Sequence, residues 1–340
     1  MLRRHVLTGA AGVLAPAWVR AQSLGRPRVR IAIGGRHLLF HLPLTIAEQL
    51  GYFRAEGLDV QVLDFDGGSR AMRAVTDGSA DVGGSAFVNT LNLQRQGQRL
   101  RVFVVQGRTS QIVLGIHPRA QSRFGTFADL KGWRIGVTAL DSSTHGLVNL
   151  LLARAGLRPG DVSIVGVGSA QGAAAALRSG QVDALSNFDP LITLLQRSGE
   201  LTVVADTREP VEAEKLFGGP LPGACLSAPH AFIDQRPEVV QALTNALVRA
   251  LRWARAAGAK ELLQVLPERF LLGDRAVYID AFLAAKRALS PDGLVPAGAP
   301  QTALRSLASV YPTITQARLD LRAMYTNDFA KKASAQAPGI

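Results

Sequence analysis

The chain has 340 residues, 47% of them apolar and 19% charged, a globular composition too long for most single cores, so two lobes are expected. Its 38 Lys+Arg against 26 Asp+Glu give a formal charge of +12. The basic residues are mostly single arginines, with no run and no aromatic-interleaved stripe, which argues against nucleic acid or a membrane surface as partner and leaves only a mild bias toward an anionic ligand. A single cysteine, Cys225, excludes an internal disulfide and a cysteine metal cluster, and reads as a packed core thiol.

Residues 1–21 read as a targeting segment. Arg3 and Arg4 precede an apolar stretch from Val6 to Val19, and Val19-Arg20-Ala21 offers a cleavage site after Ala21. The paired arginines look like a twin-arginine signal, with an ordinary secretory signal as the alternative. The stretch is too short to span a membrane, and no other segment is long and uncharged enough to do so. A soluble, exported, periplasmic protein is therefore expected.

From Arg28 the pattern is strand, polar turn, helix, repeated. Arg28 to Gly34 reads as a strand, and Pro43 suits the first turn of a helix with Leu44, Ile46, Ala47 and Leu50 on its apolar face. Gly57-Leu58-Asp59-Val60 leads a second strand, Gly67-Gly68-Ser69 opens a helix ending near Gly78, and Asp81 leads a third strand. Val102 to Val105 is a fourth. The plan then recurs. Arg134 to Leu140 reads as a strand, and Ser142, Ser143 and Thr144 open a helix with Leu147, Leu150, Leu151 and Leu157 on its apolar face. Asp161-Val162 leads a strand, Gly168-Ser169 opens a helix ending at Gly180, Asp183 leads a third strand, and Pro190 starts a helix. The Gly-x-x-Asp marks Gly78/Asp81 and Gly180/Asp183 fall at equivalent points. One β-α-β-α-β plan written twice implies two α/β lobes with parallel sheets covered on both faces.

Beyond Ala205 the chain turns mainly helical, with a long amphipathic helix from Pro237 and further helices over 260–265, 276–289 and 301–309. These complete the first lobe most simply. The chain then crosses between lobes near Thr109–Val113 and near Asp206–Ala213, which makes a two-segment hinge. The expected division is 28–109 plus 214–330 against 110–213.

In open parallel sheets, ligands sit beyond the carboxyl ends of the strands. The first lobe delivers Arg36, His41, Gly68, Ser69, Ser85, Ala86 and Phe87 to such a cleft, with Arg108 at the crossover. The second delivers Ser142, Ser143, Thr144, His145, Asn187 and Asp189. Hydroxyls, amides and helix starts can hold a small polar molecule by hydrogen bonds. The plainer readings are that Asp141–Thr144 caps its helix and that Asp189 caps the next one. The set composes no reaction centre. Ser143 and His145 lie two apart on one helix turn and face different ways. There is no Walker loop, no His-Glu-x-x-His and no complete dinucleotide fingerprint after a strand. No cofactor and no metal is expected.

Several motifs in order then resemble a known family. They are Pro43-Leu-Thr-Ile-Ala-Glu48, Gly51-Tyr-Phe-Arg-Ala-Glu-Gly57-Leu-Asp-Val60, the Gly67-Gly68 turn, Gly78-x-x-Asp81-Val-Gly83, Asp129-Leu-Lys-Gly132, Ser142-Ser-Thr144 and Gly180-x-Val-Asp183-Ala184. Together they resemble extracytoplasmic substrate-binding proteins of the nitrate/sulfonate/taurine type, which serve ATP-driven importers. The resemblance implies a type II periplasmic binding fold, with two doubly wound lobes on a two-segment hinge. It also implies a small-molecule ligand, ABC permease subunits as partners, and a monomer. By the same resemblance the positions after the first strand, the Gly67-Gly68 turn, Ser85 and Ser142–Thr144 line the cleft. The residue before the Ser-Ser-Thr turn is often glycine in the family and is Asp141 here. With Asp189 it puts a simple sulfonate or nitrate in doubt, and leaves a zwitterion, an amine-bearing heterocycle or an aromatic acid open. A branch of the same family resembles pyrimidine-precursor synthases of thiamine biosynthesis, which makes an enzyme the alternative; that branch is cysteine-rich near its active site. A receptor feeding a sensor kinase is a third reading.

Overall fold

The computed structural model describes residues 25–311, 314 and 319–336. The targeting segment expected over 1–21 lies outside the described residues. Ten strands follow in chain order: β1 (Arg28–Gly34), β2 (Asp59–Phe65), β3 (Val82–Ala86), β4 (Leu100–Val105), β5 (Val113–Ile116), β6 (Arg134–Val137), β7 (Ser163–Gly166), β8 (Ala184–Asn187), β9 (Thr202–Asp206) and β10 (Ala224–Pro229). They form two five-stranded sheets, ordered β2-β1-β3-β10-β4 and β7-β6-β8-β5-β9.

The two sheets are one topology. In each, the opening strand sits second, flanked by its two parallel partners: β1 by β2 and β3, β6 by β7 and β8. The duplication extends to single hydrogen bonds. The backbone N–H of Arg30 donates to the Asp81 carboxylate at 2.8 Å, and that of Arg134 donates to Asp183 at 3.0 Å. Each aspartate then returns its own N–H to the same residue's carbonyl, at 2.9 and 2.7 Å. Gly78 and Gly180 both end their helices at φ 81°, where a side chain would be strained.

The sheets are mixed rather than parallel. β10 runs antiparallel to β3 and β4, and β5 runs antiparallel to β8 and β9. Both are strands by which the chain enters a lobe after a crossing, so they run against the strands of the β-α-β units. Neither is expected from the repeat, because each sits outside it. The opening strand of the second lobe is also shorter than expected. It ends at Val137, because the Thr138 N–H turns to the Thr144 hydroxyl at 3.1 Å and Asp141 takes φ 60°.

The two crossings lie side by side. Thr207 and Ile112 exchange backbone and hydroxyl hydrogen bonds at 2.8 to 3.0 Å, and the Gly223 N–H donates to the Gly107 carbonyl at 2.9 Å. The long helix Pro237–Ala256 buries Val240, Leu243, Leu247 and Leu251 against the helix Leu42–Gln49 and the first sheet. Apolar burial of this kind is worth roughly 1.5–3 kcal/mol per large side chain, so this helix is a main anchor of the first sheet's core. Among the described residues no helix is long and apolar enough to cross a membrane.

Candidate functional site

The carboxyl ends of the central strands of both sheets meet in one cleft, and the lobes touch across it. The Ser69 hydroxyl donates to the Leu140 carbonyl at 2.7 Å, and the Leu39 N–H donates to the Asp189 carbonyl at 3.1 Å. The His37 Nε2 lies 3.0 Å from the Ser169 carbonyl, and the Phe40 and Phe188 rings meet at a tilt of 44° with centroids 4.6 Å apart. Gly67 is where backbone meets backbone, since a Cβ there would fall 2.7 Å from that of Ala139.

Beside this contact lies a small cavity of about 50 Å³. Its walls come from four places, the first crossing giving Ser110 and Ile112. The helix Phe87–Arg95 supplies Val88, Asn89 and Asn92. The helix Ser143–Arg154 and the turn before it supply Asp141, Ser142, Ser143, His145, Leu147, Asn149 and Leu150. The tail and the second crossing supply Ser306, Leu307, Tyr311, Phe217 and Leu221. Its lining is apolar with a few convergent polar groups; a larger cavity of about 700 Å³ between the lobes is lined by Gly35, His37, Asp64, Arg70, Thr138 and Ser169.

Three of those polar groups have no partner. Asn89 Nδ2, Asn149 Oδ1 and Ser306 Oγ are buried atoms without a hydrogen bond. Asn89 and Asn149 are only 7% and 6% exposed. A buried polar group left unpaired costs roughly 1–3 kcal/mol, and all three of these residues belong to the wall of this cavity.

The helix mouth expected to hold a ligand is largely occupied by its own residues. The Ser142 hydroxyl accepts the His145 N–H at 3.4 Å and meets the Thr144 hydroxyl at 2.7 Å. The Asp141 N–H donates to His145 Nδ1 at 3.0 Å. Burial lowers the His145 pKa, with Asp141 opposing it, which favours a neutral ring. With Nδ1 so engaged, His145 is not poised as a base toward Ser143. Ser142, Ser143 and His145 line the cavity, whereas Thr144 is fully buried beneath it.

Other expected residues lie elsewhere. The Arg36 side chain turns from the cleft to pair with Glu48 and sits 5.6 Å over the Phe270 ring; burial, ahead of Arg269, lowers its pKa. His41 is 1% exposed under the sheet against Phe40, its pKa pushed by burial to about 3. Phe87 and Ala86 belong to the core, and Ser85 is 1% exposed with its carbonyl accepting the Cys225 thiol at 3.2 Å. Gly68 packs beside Ser85 and Asn89, and Ser69 faces the lobe contact. Arg108 is exposed at the crossing, its N–H on the Ala288 carbonyl at 2.8 Å. Asn187 is buried, donating to the Gly168 carbonyl at 3.1 Å. Asp189 does cap its helix, accepting from the Thr193 N–H at 3.0 Å, and is paired with Arg208 at 3.1 Å.

Asn89, Asn92, Asn149, Ser306, Phe217 and Tyr311 were not expected from the sequence. The available signal is Asn149, a lone amide inside the run Leu147 to Leu152 that a simple core helix would not carry.

The model of one protein family matches residues 40–259, described as NMT1/THI5 like. The chain belongs to that family. A solved structure from Bordetella bronchiseptica RB50 is 47% identical with a TM-score of 0.89, covering 93% of this chain and 99% of that one. The alkanesulfonate-binding protein SsuA from Xanthomonas axonopodis pv. citri, bound to MOPS, is 22% identical with a TM-score of 0.66, covering 90% of this chain and 97% of that one. The 4-amino-5-hydroxymethyl-2-methylpyrimidine phosphate synthase of Schizosaccharomyces pombe is 27% identical over 146 residues, 42% of this chain and 40% of that protein. The NMT1/THI5-like chain thus has the two-lobed α/β fold of type II periplasmic binding proteins, with the two-segment hinge described above.

Proposed function

We propose that this chain is an extracytoplasmic solute-binding protein that delivers a small polar organic solute to an ABC importer by hinge closure. The observation that carries the reading is the cavity itself. It is built from both halves of a duplicated fold, beside a hydrogen bond that joins Ser69 to Leu140 across the cleft. The moving units are 28–109 with 214–330, and 110–213. Ligand contacts from both units stabilise the closed form by their differential affinity, and the permease subunits read that form. Residues 1–21 direct export to the periplasm, by the twin-arginine route, and the mature chain acts as a monomer without cofactor. Calorimetry of the mature chain against sulfonates, carboxylates, amides and pyrimidines tests it. Saturable binding without turnover supports the reading, and turnover of any of these compounds contradicts it.

The partial match to a pyrimidine phosphate synthase favours an enzyme as the second reading. The site gives it little help. Cys225 is fully buried, its thiol donates to the Ser85 carbonyl, and burial pushes its pKa up, away from a reactive thiolate.

A further inference from the structure

We infer that the larger space between the lobes is a ligand site separate from the small cavity, and that it takes a zwitterion, a molecule with an acid group at one end and an ammonium at the other. The inference goes beyond the receptor reading and does not need it. The acid end has a built place on the second lobe. Ser169 is 5% exposed and lines this space, yet its hydroxyl has no hydrogen-bond partner among the described residues. Its Oγ sits beside Gly35 of the first lobe, since a Cβ there would fall 2.8 Å from it. Gly35 follows β1 at φ 94° and lines the same space, so the glycine leaves that oxygen uncovered. The helix Gln171–Ser179 begins just after Ser169, and its N-cap, Ala170, supplies no side-chain cap. The N–H groups of Ser169, Ala170, Gln171 and Gly172 have no partner among the described residues. A hydroxyl and free N–H groups at the positive end of a helix dipole lack an acceptor, and an acid group supplies acceptors with the matching charge.

The wall from the first lobe has the opposite character. Asp64, Asp66 and Arg70 line it. Asp64 Oδ1 is fixed by the Gly35 and Arg36 N–H groups at 3.0 and 2.9 Å, and its Oδ2 has no partner among the described residues. Arg70 is held by Asp66 at 3.4 Å. His37, also on this wall, has its Nε2 on the Ser169 carbonyl at 3.0 Å. Two carboxylates thus stand against one guanidinium, and a bare anion meets a net like charge. A zwitterion suits both walls. Its acid group takes the helix start of the second lobe, and its ammonium takes Asp64 on the first. The space, about 700 Å³, admits more than one length of chain between the two charges. Because the two ends hold different lobes, occupancy stabilises the arrangement in which the lobes face each other closely.

The test is calorimetry of the full mature chain at neutral pH with β-alanine, γ-aminobutyrate and ε-aminocaproate, each beside the fatty acid and the amine of equal length, and with taurine beside ethanesulfonate and ethylamine. The carboxylate and sulfonate series tell the two kinds of acid group apart. At least one zwitterion is expected to bind at least about tenfold tighter than both of its single-charge counterparts, the size of one charge-assisted hydrogen bond. Ser169→Ala should weaken that binding about tenfold. Asp64→Asn keeps an oxygen for the Gly35 and Arg36 N–H groups, and should leave the zwitterion no tighter than the matching acid. Melting curves on both variants check that the fold holds. An acid or an amine that binds as tightly as its zwitterion overturns the inference. Affinity unchanged by Ser169→Ala, or binding by none of these compounds, overturns it too. Each of these results leaves the receptor reading standing, which the wider ligand panel tests separately.

Discussion

The Ser69 hydroxyl donates to the Leu140 carbonyl at 2.7 Å, joining the helix start of one lobe to the strand end of the other. The bond ties the two lobes together across the cleft. A single neutral hydrogen bond nets only about 0.5–1.5 kcal/mol, so it biases closure rather than fixing it. Ser69→Ala should therefore weaken solute affinity by about two- to tenfold while leaving the thermal midpoint nearly unchanged, since Ser69 packs in no core. Calorimetry and a melting curve on the same sample check both halves. A lowered midpoint would mean that Ser69 serves the fold instead.

Asn89 belongs to the cavity wall, and its Nδ2 is buried and unpaired. Asn89→Leu should raise the stability of the unliganded chain, by about 1 kcal/mol, and lower solute affinity at least about tenfold. Urea midpoints and titration heats should move in opposite directions. A loss of stability on this substitution would show that the asparagine is satisfied within the fold.

His41 has its pKa pushed down to about 3 by burial, ahead of a smaller effect from His37. The folded state thus holds its neutral form, whereas the unfolded chain takes up a proton near pH 6.5. This contribution to stability is complete above about pH 6.5 and is lost as pH falls toward about 3. The wild type should therefore lose urea resistance between pH 6.5 and 4.5 more steeply than His41→Gln. Equal slopes would place the acid sensitivity on other groups.

Cys225 is fully buried and its pKa is raised by that burial. Iodoacetamide at pH 8 should leave the native chain unmodified and alkylate it fully in urea. Rapid native modification would reopen a thiol-based reaction.

The frame was legible because the duplicated plan is written in residues that local chemistry demands. Gly78 and Gly180 sit at positive φ, and Asp81 and Asp183 grip the opening strand beside each. β5 and β10 were not legible, since they are short, buried and outside the repeat, and nothing local tells a parallel from an antiparallel partner. The site was half legible. Ser142, Ser143 and His145 follow from the rule that strands deliver residues to a cleft, and they do line the cavity. Arg36 and Phe87 obey the same rule by position but not by direction. Arg36 finds Glu48 and Phe87 finds the core, and both partners lie far from them in the sequence or on other elements. Tyr311 and Ser306 come from the helical tail, whose docking no local pattern announces.

The most direct test of a receptor that closes on its solute is a distance between the lobes. Spin labels on Asp77→Cys and Ala175→Cys, both exposed and one on each lobe, report it, while buried Cys225 stays unlabelled. Without solute the distribution should be broad and include an open population. Saturation with the tightest binder found by calorimetry should collapse it to one short distance. A single distance that the binder leaves unchanged would contradict hinge closure.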